Sequence, residues 1–134
     1  MIYQIFLNQC QLRPERTALI TSSGERFTYA QVQSRVNQWA NYLTVQGIGS
    51  GDRVAALLDN EDNHFFILLA LDRINATYVP FDTDIPKQQL VTDIATLHLN
   101  KFIIDAKLTP AIAEIFEKTQ QSRLAGIALH NRQR

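Results

Sequence analysis

Hydrophobic residues recur along this chain at two spacings, one typical of helices and one typical of strands. Val32, Val36, Trp39, Ala40 and Leu43 recur at helical spacing, which predicts a helix with one buried face. Residues 54–58 form an apolar run without alternation, which is typical of a central parallel strand covered on both faces. The chain therefore carries signals for both kinds of element.

These elements alternate along the chain. The predicted helices cover residues 2–10, 28–46 and 61–74, with two more opened by Asp84-Ile85-Pro86 and Thr109-Pro110. The predicted strands cover residues 17–21, 26–27, 54–58, 78–81, 101–105 and 125–129, the first two joined as a hairpin. This order predicts an α/β fold, a mainly parallel sheet with helices on both faces. With 134 residues, we interpret 1–134 as a single domain.

Local signals mark the ends of two helices. Thr28 and Gln31 have the spacing of a capping box, in which each side chain bonds the backbone N–H of the other residue. Gly47 is expected to stop that helix, where a left-handed residue is tolerated. Asn75 is expected to take the same left-handed position after the next helix.

Composition and charge exclude several classes of protein. Hydrophobic residues make up 46% of the chain, and 13 Lys and Arg balance 13 Asp and Glu, so it is not a disordered chain. Zero net charge gives no bulk attraction to nucleic acid or to an anionic membrane, and we expect neither as a partner. The apolar run 65–71 is far shorter than the roughly 20 residues of a membrane span.

The single cysteine and the first residues suggest a compartment. Cys10 lies among apolar residues, and we interpret it as a small buried hydrophobe. The start, Met1-Ile2-Tyr3-Gln4, lacks the features of a signal peptide. Both observations predict a reducing, cytoplasmic location.

Two polar or glycine-rich segments are candidates for binding. The segment 47–51 contains three glycines but follows a helix and precedes a strand, the reverse of a phosphate loop, so it predicts a helix stop and a turn. The segment 59–64 is acidic but has His64 and Ala70 where a calcium loop needs Gly and Glu. We interpret it as a helix start with Asn60 as the N-cap.

The remaining titratable residues indicate no site. Asp82 and Asp84 could form a carboxylate pair for acid–base chemistry, but they stand at a strand-to-helix turn, which favours a structural role. His64, His98 and His130 are scattered and form no zinc-binding spacing. We therefore predict no catalytic, cofactor-binding or metal-binding residue in this chain.

The order of several segments resembles that of AMP-forming adenylating enzymes. Residues 24–32 resemble that family's first core motif, usually Leu-Thr-Tyr-x-Glu-Leu, and residues 37–43 its Asn-x-x-Ala-x-x-Leu helix. Residues 47–55 look like its Gly-Val-x-x-Gly-Asp-x-Val-Ala turn and strand, and residues 76–82 like its second core motif, Ala-x-Tyr-x-Pro-x-Asp. Residues 14–19 match the opening Pro-x-x-x-Ala-Leu.

The resemblance covers about residues 3–105 and leaves 106–134 outside it. It implies the N-terminal part of an adenylation (AMP-binding) domain, most like that of a nonribosomal peptide synthetase. A D-alanine–carrier-protein ligase or an acyl-CoA synthetase is the alternative parent. The chain departs from the family pattern at 72–75, where Leu-Lys-Ala-Gly is usual, and at Asn100, near a position where glycine is frequent.

The resemblance implies an ATP-dependent, AMP-forming amino-acid (carboxylate) ligase that uses ATP and Mg when complete. The family's phosphate loop with its lysine has no counterpart in these residues, so this chain alone is expected to lack catalysis. Its expected partners are the remainder of an adenylating enzyme or a carrier protein. The alternative is a stand-alone interaction module that self-associates through exposed apolar surface. A small nucleotide-binding α/β domain is a further alternative.

Overall fold

The computed structural model describes residues 2–59, 61–108, 110, 114 and 125–129, with Glu61 and the last five described by their backbone alone. The chain divides into two compact units. The first contains residues 1–50 and 61–76, and the second contains residues 51–60 and 77–134. The assignment of 1–134 to a single domain stays a prediction.

The first unit contains three helices and a hairpin. Its elements are α1 (Ile2–Leu12), β1 (Thr17–Ile20), β2 (Arg26–Thr28), α2 (Tyr29–Val45) and α3 (Glu61–Arg73). The antiparallel pairing of β1 with β2 confirms the predicted hairpin, with Ile20 opposite Arg26 and an irregularity between Thr17 and Leu19.

Helix α2 packs through the face that its sequence indicates. The buried face of α2 consists of the five residues expected from the helical spacing, Val32, Val36, Trp39, Ala40 and Leu43. Helix α2 packs against α3, and α1 contacts both. At one end of this packing the rings of Phe27 and Phe66 meet edge to face, with centroids 5.6 Å apart. The Arg35 guanidinium carbon lies 5.6 Å from the Phe27 centroid and 6.0 Å from the Phe66 centroid.

The second unit is built on a parallel sheet. Its strands are β3 (Arg53–Leu57), β4 (Thr77–Pro80), β5 (Lys101–Asp105) and β6 (Ala125–Leu129), in the order β4-β3-β5-β6. All three strand pairings are parallel. The predicted α/β class with a mainly parallel sheet is therefore confirmed.

Helix α4 (Lys87–Thr96) completes the core of the second unit. Its buried residues Leu90 and Ile94 pack in one cluster with Leu57, Leu99 and Ile104. A short 3-10 turn, Ala106–Leu108, follows β5. Pro80 ends β4 at the edge of the described sheet and lies opposite Ala56 of β3.

Most predicted bounds lie within one or two residues of those observed, and the two ends of α4 show features that the sequence did not predict. The sequence places Pro86 inside the first turn of its helix, whereas α4 begins at Lys87 and Pro86 is its N-cap, with extended backbone at φ −58° and ψ 137°. His98 adopts a left-handed conformation after α4, at φ 53°, which the sequence did not predict. The predicted N-cap Asn60 and most of the helix opened by Thr109-Pro110 fall outside the described residues, although Pro110 and Glu114 are helical.

Candidate functional site

The first motif segment supports the start of a helix. The Thr28 hydroxyl accepts a hydrogen bond from the Gln31 N–H at 3.2 Å. The Gln31 side-chain oxygen accepts one from the Thr28 N–H at 2.8 Å. The predicted capping box is confirmed, and both side chains satisfy donors that the helix itself leaves open.

The glycine-rich segment ends α2 and leads into β3. Gly47 and Gly51 have φ values of 98° and 86°, a region that side chains with a Cβ rarely adopt. The Gly47 N–H donates to the Thr44 carbonyl and the Ile48 N–H to the Leu43 carbonyl, both at 3.0 Å. The predicted helix stop and turn are confirmed, and these amides bind the helix end.

A polar network joins β3 to β5 where both strands begin. The Asn100 side-chain oxygen accepts from the Arg53 N–H at 2.7 Å, and its amide nitrogen donates to Asp52 Oδ1 at 2.8 Å. The Asn100 N–H also donates to the Arg53 carbonyl at 3.0 Å. Lys101 Nζ lies 3.9 Å from Asp52 Oδ2. The motif residue Asp52 therefore helps to hold β5 beside β3.

This network was not predicted from the sequence, in which Asn100 stands out only as a departure from glycine. The partners are 48 positions apart, and no local pattern connects them.

The second motif segment forms β4 and its entry. Asn75 adopts the predicted left-handed conformation, at φ 62°, and the Ala76 N–H donates to the Leu71 carbonyl at 2.9 Å. Tyr78 is half-buried, and this burial raises the pKa of its hydroxyl above the ordinary value. The segment therefore ends α3 and forms one strand of the sheet.

Asp82 and Asp84 lie in the loop that leaves β4. With neighbours that include Phe81 and Ile85 they line an open depression of about 390 Å³. The Asp82 carbonyl accepts from the Ile85 N–H at 3.1 Å, which closes a turn. This turn supports the structural role expected from their position, and acid–base chemistry by the pair stays a hypothesis.

A charged pair lies at the carboxyl ends of the two central strands. The order β4-β3-β5 means that the chain passes to one side of β3 and then to the other, so β3 and β5 flank a topological switch point. In open α/β sheets ligands bind in the crevice at such a point. Lys107 after β5 forms an ion pair with Asp59 after β3, and Asp105 at the end of β5 is buried. We take these carboxyl ends of β3 and β5 as the candidate functional site.

Histidine, cysteine and acidic side chains are the residues that could hold a metal ion. Among the residues that the structure describes, no group of three His, Cys, Asp or Glu side chains could hold a metal ion. Of the three histidines, His130 lies outside the described residues.

Cys10 is buried as predicted, its Sγ lies 3.5 Å from the Tyr29 carbonyl oxygen, and burial raises the pKa of its thiol. None of the described helices is long and apolar enough to cross a membrane.

Comparison with proteins of known sequence places the chain among adenylating enzymes. One of the linear gramicidin synthase proteins of Brevibacillus parabrevis is 29% identical over 114 residues, which are 85% of this chain but only 2% of that protein. The chain therefore corresponds to a small part of this relative.

Solved structures share the fold. A fatty acyl CoA synthetase of Mycobacterium tuberculosis matches with a TM-score of 0.80 and 25% identity, over 96% of this chain and 26% of its own. ATP-bound MatB from Rhodopseudomonas palustris matches with a TM-score of 0.77 and 24% identity, over 93% and 25% of the two chains.

The family assignment rests on nearly the whole sequence. The model of the AMP-binding enzyme family matches residues 6–131, which extends beyond the motifs that carry the resemblance. The resemblance of 3–105 to adenylate-forming enzymes is confirmed by this match. Since the match covers nearly all of the chain, this protein belongs to the AMP-binding enzyme family.

Proposed function

We propose that this chain provides the N-terminal α/β scaffold of an ATP-dependent, AMP-forming amino-acid ligase, most like a nonribosomal peptide synthetase adenylation domain. One observation carries the proposal. Two segments that resemble family motifs pair in parallel register, with Arg53 opposite Thr77 and Val54 opposite Tyr78. The backbones of both segments build the sheet, which is the role of a scaffold.

The glycine turn does not fit the triphosphate of ATP. A phosphate loop presents free backbone N–H groups at the start of a helix. Here the amides of Gly47 and Ile48 already donate to carbonyls at the end of α2. ATP and Mg would therefore have to be held by residues other than this turn, and we assign no catalytic step to it.

We propose that the 134-residue polypeptide does not activate an acid on its own. Amino-acid-dependent exchange of pyrophosphate into ATP measures that activation directly. We expect no exchange above background from the isolated chain, with a complete adenylation domain assayed in parallel as the positive control. Robust exchange by the 134 residues would refute the scaffold proposal.

The substrate of the enzyme to which this scaffold belongs distinguishes the candidate enzymes. A D-alanine–carrier-protein ligase or an acyl-CoA synthetase is the alternative parent. Exchange assays on the longest natural polypeptide that contains these residues, with a panel of amino acids and fatty acids, would distinguish them. A response to fatty acids alone would exclude the amino-acid ligase.

A second candidate function is an interaction module. The observation that favours it is the exposure of large aliphatic side chains on α1, where Ile5 is 61% and Leu12 is 73% exposed. The remainder of an adenylating enzyme, a carrier protein or a second copy of the chain are the candidate partners. Titration of labelled chain with a purified carrier protein tests the second of these, and saturable binding would support the module.

A further inference from the structure

Helix α1 presents two different apolar faces. Phe6 and Cys10 are buried, and the Phe6 ring lies 6.1 Å from the Tyr29 ring of α2. A second set, Ile2, Ile5, Gln9 and Leu12, lies at spacings of three, four and three residues, which place it along one side of a helix. We refer to these four residues as the α1 stripe. Its three aliphatic members are 50%, 61% and 73% exposed, so the stripe faces away from the core.

None of the four stripe residues is charged, and the nearest charged residue along the chain is Arg13, directly after Leu12. All 11 residues of α1 are uncharged, whereas α2, α3 and α4 each contain charged residues. Next to the stripe, the Gln4 side chain donates to the Asn8 side chain at 3.3 Å, so its flank is neutral amide. Two copies of such a face can meet without a charged side chain between the paired positions.

The spacing of the stripe is also self-complementary. Positions 2 and 12 and positions 5 and 9 are symmetric about Leu7. In an antiparallel pair of α1 helices, Ile2 of one copy lies opposite Leu12 of the other, and Ile5 lies opposite Gln9. A two-fold interface requires this pattern, in which the same surface serves both partners.

We propose that the α1 stripe is a self-association surface that pairs two copies of this chain through antiparallel α1 helices. An 11-residue helix is about 16 Å long. Two helices of that length bury less surface against each other than the about 1,200–2,000 Å² of a standard interface. The dimer should therefore be weak and reversible, and it does not depend on the ligase function proposed above.

Sedimentation equilibrium of the full chain between 10 μM and 1 mM tests the proposal. The weight-average mass should rise with concentration from 15.3 kDa towards twice that value. Ile5→Glu should weaken dimerisation at least tenfold because it places a carboxylate in the centre of the pair. Gln9→Leu should strengthen it about tenfold by completing the apolar stripe, and circular dichroism would show that each variant folds.

A matched control and a cross-link define the surface. Val45 is 81% exposed at the end of α2 and does not belong to the stripe, so Val45→Glu should leave dimerisation unchanged. Under oxidising conditions, a mixture of Ile5→Cys and Gln9→Cys chains should form the mixed dimer in preference to either homodimer. A monomer at every concentration in both wild type and Gln9→Leu, or equal weakening by Val45→Glu, would overturn the proposal.

Discussion

Asn100 is the residue whose replacement most directly tests how the parallel sheet is held together. Its side chain makes two hydrogen bonds, one to the Arg53 backbone at 2.7 Å and one to the Asp52 carboxylate at 2.8 Å. A net hydrogen bond contributes about 0.5–1.5 kcal/mol, and a bond to a charged group contributes more. Because Asn100 is exposed, we expect Asn100→Ala to lower the free energy of unfolding by about 1–2 kcal/mol.

Asn100→Asp keeps one of the two hydrogen bonds and removes the other. The new carboxylate still accepts from the Arg53 N–H, but it faces Asp52 across the position of the lost hydrogen bond. Two like charges at about 4 Å repel by roughly 1 kcal/mol in water. Lys101, whose Nζ lies 3.9 Å from the other Asp52 oxygen, offsets part of that repulsion.

The double variant Asp52→Asn with Asn100→Asp provides the matched control. In this variant the amide is at position 52 and the carboxylate at position 100, so the hydrogen bond between the two side chains can form again. Its stability should therefore exceed that of Asn100→Asp. Urea unfolding at pH 7 of the wild type, the single variants Asp52→Asn and Asn100→Asp, and the double variant gives four free energies and the coupling between the sites. If Asn100→Ala changed stability by less than about 0.3 kcal/mol, or the double variant gained nothing, the network would not support the sheet.

Three further predictions follow from other parts of the chain. Thr28→Ala should cost about 1 kcal/mol in urea unfolding by removing the capping hydroxyl, and an unchanged midpoint would contradict this role. The buried Cys10 thiol, with its raised pKa, should react with a thiol reagent at pH 8 far more slowly than in urea, and equal rates would contradict its burial. Burial raises the pKa of Tyr78 above that of a free phenol, so the free energy of unfolding should be independent of this group below about pH 10 and should fall as the pH rises further, because the unfolded chain ionises first. An absorbance titration should show a late tyrosine ionisation that Tyr78→Phe removes, and its persistence in the variant would assign it to another residue.

Local signals explain why much of the fold could be predicted from the sequence. The capping box at Thr28, the stop at Gly47 and the left-handed Asn75 each depend on residues within a few positions of one another. The unbroken apolar run of β3 predicted a central strand, and β3 lies between β4 and β5. Signals of this kind require no knowledge of the tertiary fold.

The contacts that were not predicted depend on tertiary structure. Asp52 meets Asn100, and Asp59 meets Lys107, only because β3 and β5 become neighbours in the sheet. The start of α4 was misplaced for a different reason. Proline is compatible both with the first turn of a helix and with the residue before it, and Pro86 takes the second position.

Pro80 affects how the sheet can grow. The amides of Thr77 and Phe81 donate to β3 and its entry, and alternation along the strand turns the backbone of residue 80 towards the open side of β4. Proline has no N–H, so a foreign strand that aligned beside β4 would find no donor there. The residue that resembles the proline of a ligase motif therefore also weakens the pairing that a foreign strand could make at this edge of the described sheet.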